Sequence, residues 1–132
     1  MKDFVLDASA LLRFTENEAG AERVREIILA AHSGQMELFM SPVNWGEIVY
    51  TLLRLSAIPT LHTVESLPIA YPEITKSDAA QAARFRYQYK LPYADSFAAA
   101  LAQELKATLL TADYDFKVVK QGVQIEFLPP KP

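Results

Sequence analysis

Four carboxylates in this chain stand where chemistry could be done. Asp7 ends the apolar run of FVLDASALL, Glu47 lies in WGEIV, Asp95 opens YADSFAAALA, and Asp113 follows TLLT with Asp115 two residues on. Two carboxylates about 5 Å apart repel by roughly 3 kcal/mol at an effective dielectric near 20. A cluster of four therefore either takes up protons or binds a cation. The chain has no cysteine, and its two histidines, His32 and His62, lie beside no acid pair at ligand spacing. Hard oxygen donors alone select Mg²⁺ or Mn²⁺. An ion held this way can make a nucleophile of water at neutral pH and stabilise charge on a phosphodiester oxygen. Only four glycines occur, none clustered. With no phosphate-cradling loop, a nucleotide triphosphatase or dinucleotide enzyme is disfavoured.

Each acid also has a plainer reading. Asp7 and Asp95 could simply complement a helix dipole. Asp113 and Asp115 could be turn residues, since TADYD has turn composition. Glu47 could be a solvated helix acid on a face shared with Tyr50, Thr51 and Arg54. What favours a joint role is the set of elements around the acids. FVL (4–6), LFM (38–40), TLLT (108–111) and QIEFL (124–128) read as short strands. Helical spacing covers 19–32, with Gly34 as its stop. A helix opens at Ser41-Pro42 and runs to about Ala57, with Trp45, Ile48, Val49 and Leu52 as its apolar stripe. Thr75 and Asp78 form a capping box that opens a helix to about Lys90. Pro92 opens another, from Tyr93 to about Lys106. The segment 58–74, punctuated by Pro59, Pro68 and Pro72, is assigned only a short strand near 69–71. Strands alternating with helices imply one α/β domain, a mostly parallel sheet covered on both faces. In such sheets ligands bind outside the carboxyl ends of the strands. All four acids belong to that edge.

Composition sets the remaining bounds. The 132 residues suit one domain, placed here at 1–128 with a proline-rich tail at 129–132. Half the chain is hydrophobic, enough for a real core. A net charge of -3 argues against nucleic-acid binding over the whole surface but leaves room for a local basic lip. No apolar run approaches the roughly 20 residues of a membrane span. The N-terminus lacks signal-peptide form, and the absence of cysteine suits a reducing cytoplasm. A cytoplasmic protein is the expectation.

The motifs VLDAS, WGEIV, YADSFAAALA and LLTADYDF, in this order and spacing, resemble the PIN-domain family, and within it the VapC-type toxins of toxin–antitoxin pairs. The resemblance implies an α/β/α sandwich around a parallel sheet and Mg²⁺- or Mn²⁺-dependent endoribonuclease activity. It implies Asp7, Glu47, Asp95 and Asp113 as the catalytic, metal-holding acids. Asp7 and Asp95 would hold the principal ion, joined by Asp113, while Glu47 would bind a second ion or position the attacking water. Ser9 and Thr111 match supporting hydroxyl positions, and Asp115 matches a further acid before Phe116. Ser96 stands where the family commonly has Ala, and 58–74 matches least. The partners implied are RNA, a small antitoxin that inserts a peptide into the groove, and a second copy in a homodimer.

In ARFRYQYK (83–90) cations alternate with aromatics. The aromatics read mainly as a core-facing stripe, while Arg86 and Lys90 are candidate phosphate contacts. Arg13, Arg54 and Lys117, close in sequence to the acid motifs, are further candidates. Leu53 and Leu55 lie off the main apolar stripe of their helix and hint at a partner surface. Three other functions fit less well. A phosphatase with an aspartyl nucleophile needs a second acid where Ser9 stands. A receiver domain needs adjacent acids at the first strand end. An RNA-binding module that does not cut has no use for a costly carboxylate cluster.

Overall fold

The computed structural model describes residues 2–132. Four strands form one parallel sheet in the order β2-β1-β3-β4, with β1 at Phe4–Leu6, β2 at Leu38–Phe39, β3 at Thr108–Thr111 and β4 at Ile125–Phe127. Side chains alternate across such strands. Phe4, Leu6 and Leu110 therefore face one hydrophobic layer, and Val5 and Leu109 face the other. The first layer is closed by α1 (Ala8–Thr15), α2 (Ala21–His32), α3 (Pro42–Arg54) and α4 (Ile58–Glu65). The second is closed by α5 (Lys76–Tyr89), α6 (Tyr93–Leu105) and a 3-10 turn at Tyr114–Val119, through Phe85, Ala98, Ala102 and Phe116. The result is an α/β/α sandwich, as the strand–helix alternation implies.

The helix starts follow from local chemistry. Asp7 caps α1 by accepting the Ala10 N–H at 2.9 Å. Ser41 caps α3, and Pro42 occupies its first turn. Thr75 and Asp78 form the reciprocal capping box of α5, at 3.1 and 2.8 Å. Each such cap stabilises by about 1 kcal/mol.

The segment 58–74 departs from its sequence reading. Residues 58–65 are helical, with Pro59 in the first turn, where a missing N–H costs nothing. The helix α3 stops at Arg54 rather than near Ala57, because Ser56 turns into the left-handed region at φ 55°. The strand placed near 69–71 reduces to one parallel bridge between Phe39 and Ala70. The Ala70 N–H donates to Leu38 O at 2.8 Å, and the Met40 N–H donates to Ala70 O at 3.0 Å.

Gly20, which caps α2, has φ 89°, and a Cβ there would lie 2.9 Å from Leu128 Cβ. Left-handed strain costs roughly 1–2 kcal/mol for a residue with a side chain, and crowding of a packed core adds to it. Gly20→Ala should lower stability by about 2 kcal/mol or more, read as a lower urea midpoint at unchanged m. A midpoint equal to wild type would show that Leu128 gives way freely.

Candidate active site

The register of the sheet creates the site. Leu6 pairs with Leu110, so the next residue on each strand, Asp7 and Thr111, meet at the carboxyl edge. Thr111 Oγ1 donates to Asp7 Oδ2 at 2.6 Å. Ser9 Oγ lies 2.8 and 2.9 Å from the two Asp7 oxygens and 3.2 Å from Thr111 Oγ1. The same two hydroxyls accept from the next turn: Ala112 N–H reaches Ser9 Oγ, and Asp113 N–H reaches Thr111 Oγ1, both at 2.9 Å. Asp113 in turn accepts the Asp115 N–H at 2.9 Å. Asp7 and Asp113 therefore each cap the turn that follows, and Thr111 links them in one hydrogen-bonded set.

The electrostatics join the remaining acids. The charged groups that act most strongly on Asp95, which opens α6 and is half-buried, are carboxylates: Asp113, Asp7, Glu47 and Asp115. Burial first, and these neighbours after it, push the Asp95 carboxyl up to about 7. Asp7 is only 3% exposed, and burial pushes it up to about 6. Hydrogen bonds from Thr111, Ala10 and Ser9 favour its charged form and limit the rise, while Asp113 adds to it. Asp95 is less buried yet further raised, because more carboxylates act on it.

Four acids from three other segments thus act on Asp95, and Ser9 and Thr111 are bonded to Asp7. Among the described residues, no three acidic or histidine side chains stand close enough to enclose a metal ion as they are placed. The donor set still fits a hard divalent cation. It offers only carboxylate oxygens, and two of its members retain protons toward neutrality through burial and mutual repulsion.

One buried residue has no counterpart among the sequence candidates. Asn44, 1% exposed, donates from Nδ2 to Glu47 Oε1 at 3.0 Å and to Ala94 O at 3.1 Å. The available signal was its position three residues before Glu47, on the same helix face.

The candidate cations divide. Arg13 is engaged within the fold. It is buried, 8% exposed, and donates to Ala19 O at 2.7 Å and Pro129 O at 2.8 Å, which ties the start of the tail to α1. Lys131 pairs with Glu18 at 2.9 Å and extends that tether. Arg54 lies over the Tyr50 ring at 5.9 Å, and Lys117 over Tyr114 at 5.2 Å. Arg86 donates to Leu91 O at 3.1 Å yet remains exposed, as does Lys90 at the end of α5. In the same stretch Phe85 is core and stacks with Tyr89 at 5.6 Å, whereas Tyr87 is 89% exposed. Leu53 and Leu55 are exposed beside Tyr50 and Ile58.

A family model described as the PIN domain matches residues 4–122. The chain belongs to the PIN-domain family. A sequence search of curated proteins finds no match. Among solved structures, this PIN domain is similar to VapBC2 from Rickettsia felis, bound to a DNA fragment from its promoter, at TM-score 0.74 and 14% identity over 96% of this chain and 99% of that one. It is similar to VapC20 of Mycobacterium tuberculosis, a sarcin–ricin loop cleaving toxin, at TM-score 0.72 and 17% identity over 96% and 99%. VapBC-1 from nontypeable Haemophilus influenzae follows at TM-score 0.67 and 16% identity over 95% and 97%. At such identities the likeness is one of fold. Among the described residues no helix is long and apolar enough to cross a membrane.

Proposed function

We propose that this PIN domain is a Mg²⁺- or Mn²⁺-dependent endoribonuclease and the toxin of a toxin–antitoxin pair, acting in the cytoplasm. The observation that carries the reading is the bonded set of Asp7, Ser9, Thr111 and Asp113 at the carboxyl edge of the sheet, with Asp7, Glu47, Asp113 and Asp115 acting on Asp95. Asp7, Asp95 and Asp113 would hold the ion, with Glu47 at a second ion or at the attacking water. The chemistry such an ion supplies when bound is a more acidic water and neutralised charge on the phosphodiester. Ser9 and Thr111 fix the orientation of Asp7, and the Asp115 N–H does the same for Asp113. Arg54, Arg86, Lys90 and Lys117 are exposed and would meet phosphates. Double neutralisation of Arg86 and Lys90 should weaken RNA binding and flatten its salt dependence. An unaltered salt slope would remove them from the interface.

The exposed apolar residues Tyr50, Leu53, Leu55 and Ile58 would be covered by partner chains, a small antitoxin and a second copy. VapBC complexes among the structural neighbours support an antitoxin partner. The reading is tested by incubating the purified chain, freed of antitoxin, with end-labelled structured RNA. Cleavage with Mn²⁺ or Mg²⁺ and none with EDTA is expected. Retention of RNA without cleavage in any metal would favour a binding module instead, the alternative to which the spread of the carboxylates lends support.

A further inference from the structure

Asn44 lies at the base of α3, where Ser41 and Pro42 fix the start of the helix. Its amide nitrogen has two hydrogens in a planar fork, and both are committed. One goes to the Glu47 carboxylate at 3.0 Å, the other to the carbonyl of Ala94 at 3.1 Å, the residue before Asp95 and 50 positions away in sequence. A planar amide fixes the angle between its two acceptors. Asn44 thereby sets where the acid of α3 stands relative to the acid-bearing turn of α6.

The other end of the same amide is the second observation. Asn44 Oδ1 is buried with no hydrogen-bond partner. A buried acceptor left unpaired carries a desolvation cost that offsets much of what the two donated bonds contribute. The asparagine's net contribution to stability is therefore small. Leucine would fill the same space without the orphaned oxygen. What leucine lacks is the nitrogen that joins Glu47 to α6.

We propose that Asn44 is a positioning residue of the carboxylate site, holding Glu47 in register with the Asp95 turn through one side-chain nitrogen. The inference rests on the nuclease reading above and adds a residue to it. Asn44 is too buried to touch RNA, so its contribution must pass through Glu47 and α6.

The test uses the full chain as wild type, Asn44→Leu, Glu47→Gln and the double variant. Thermal unfolding in EDTA should give Asn44→Leu a cooperative transition with a midpoint within roughly 10 degrees of wild type. Calorimetric titration with Mn²⁺ should show its affinity reduced by about 10-fold or more, the range for groups that orient ligands. Cleavage of the end-labelled RNA should lose about 10- to 100-fold in kcat with KM unchanged. In the Glu47→Gln background, Asn44→Leu should cost little further, because the partner it positions is already gone. Wild-type affinity and kcat in Asn44→Leu would overturn the inference alone. An equal loss in both backgrounds would also overturn it. A wild-type chain that neither binds Mn²⁺ nor cuts RNA would overturn the nuclease reading, and this inference with it. If Asn44→Leu fails to fold, Asn44→Ser carries the same comparison.

Discussion

Asp95→Asn should lose RNA cleavage by at least about a hundredfold while the metal-free protein becomes no less stable. The substitution keeps the shape of the side chain and removes one charge. Groups that merely orient a ligand are worth about 10- to 100-fold, so a group in the cluster itself should exceed that. The stability half of the expectation comes from the same electrostatics. The largest charged influences on Asp95 are Asp113, Asp7, Glu47 and Asp115, all of which raise its carboxyl. At neutral pH, without an ion, its ionised form is a repulsive partner. Asparagine removes that repulsion. Circular dichroism and thermal unfolding in EDTA, beside the cleavage assay, separate the two halves. Full activity would remove Asp95 from the site. Lost activity with a large fall in unfolding temperature would make it a structural residue.

The second large effect is a dependence of metal-free stability on pH. Burial raises Asp7 from an ordinary 3.8 to about 6, so the folded chain holds this proton more tightly than the unfolded one. The stabilisation is fully present below the unfolded value and is lost as pH rises through the folded value. For Asp7 the change corresponds to about 3 kcal/mol. Asp95, raised to about 7, acts in the same direction, and its half exposure makes its share smaller. Glu126 runs the other way. Its bidentate pairing with Arg23, at 2.6 and 3.0 Å, lowers its carboxyl, so its stabilisation is lost at acid pH, below the window in question. In EDTA, the urea midpoint should therefore fall as pH rises from about 4 to 6 for Asp7, and on to about 7 for Asp95. Mn²⁺ at pH 8 should restore it, because binding to the folded form alone stabilises by mass action. A midpoint that rises over this range in EDTA would contradict the assignment of Asp7 and Asp95 as protonated, crowded acids.

Much of this was legible in the residues. The apolar triplet before Asp7 and the TLLT before Asp113 announce buried parallel strands that end on acids. Parallel topology then puts those ends on one edge. Thr75 with Asp78 and Ser41-Pro42 mark helix starts through chemistry confined to four residues, so they survive any tertiary context. The segment 58–74 was opaque for the opposite reason. Pro59 breaks a helix from the inside but is neutral in its first turn, and only the position of Ser56 decides which applies. Arg13 looked available because it stands near Asp7 in sequence. Its engagement by Ala19 and Pro129 depends on a chain end more than a hundred residues away. Asn44 was missed because its partner Ala94 is a main-chain carbonyl, to which no side-chain pattern points.

The most direct measurement is a calorimetric titration of Mn²⁺ into the metal-free chain near neutral pH, with Asp95→Asn beside it. A cation held by these carboxylates predicts saturable binding in the wild type that is lost or greatly weakened in the variant. It also predicts proton release that makes the apparent enthalpy depend on the buffer, because Asp95, pushed up to about 7, is part-protonated there and Asp7, at about 6, to a smaller extent. A wild-type chain that takes up no Mn²⁺, or a variant that binds it equally well, would contradict the claim that these acids form one metal site.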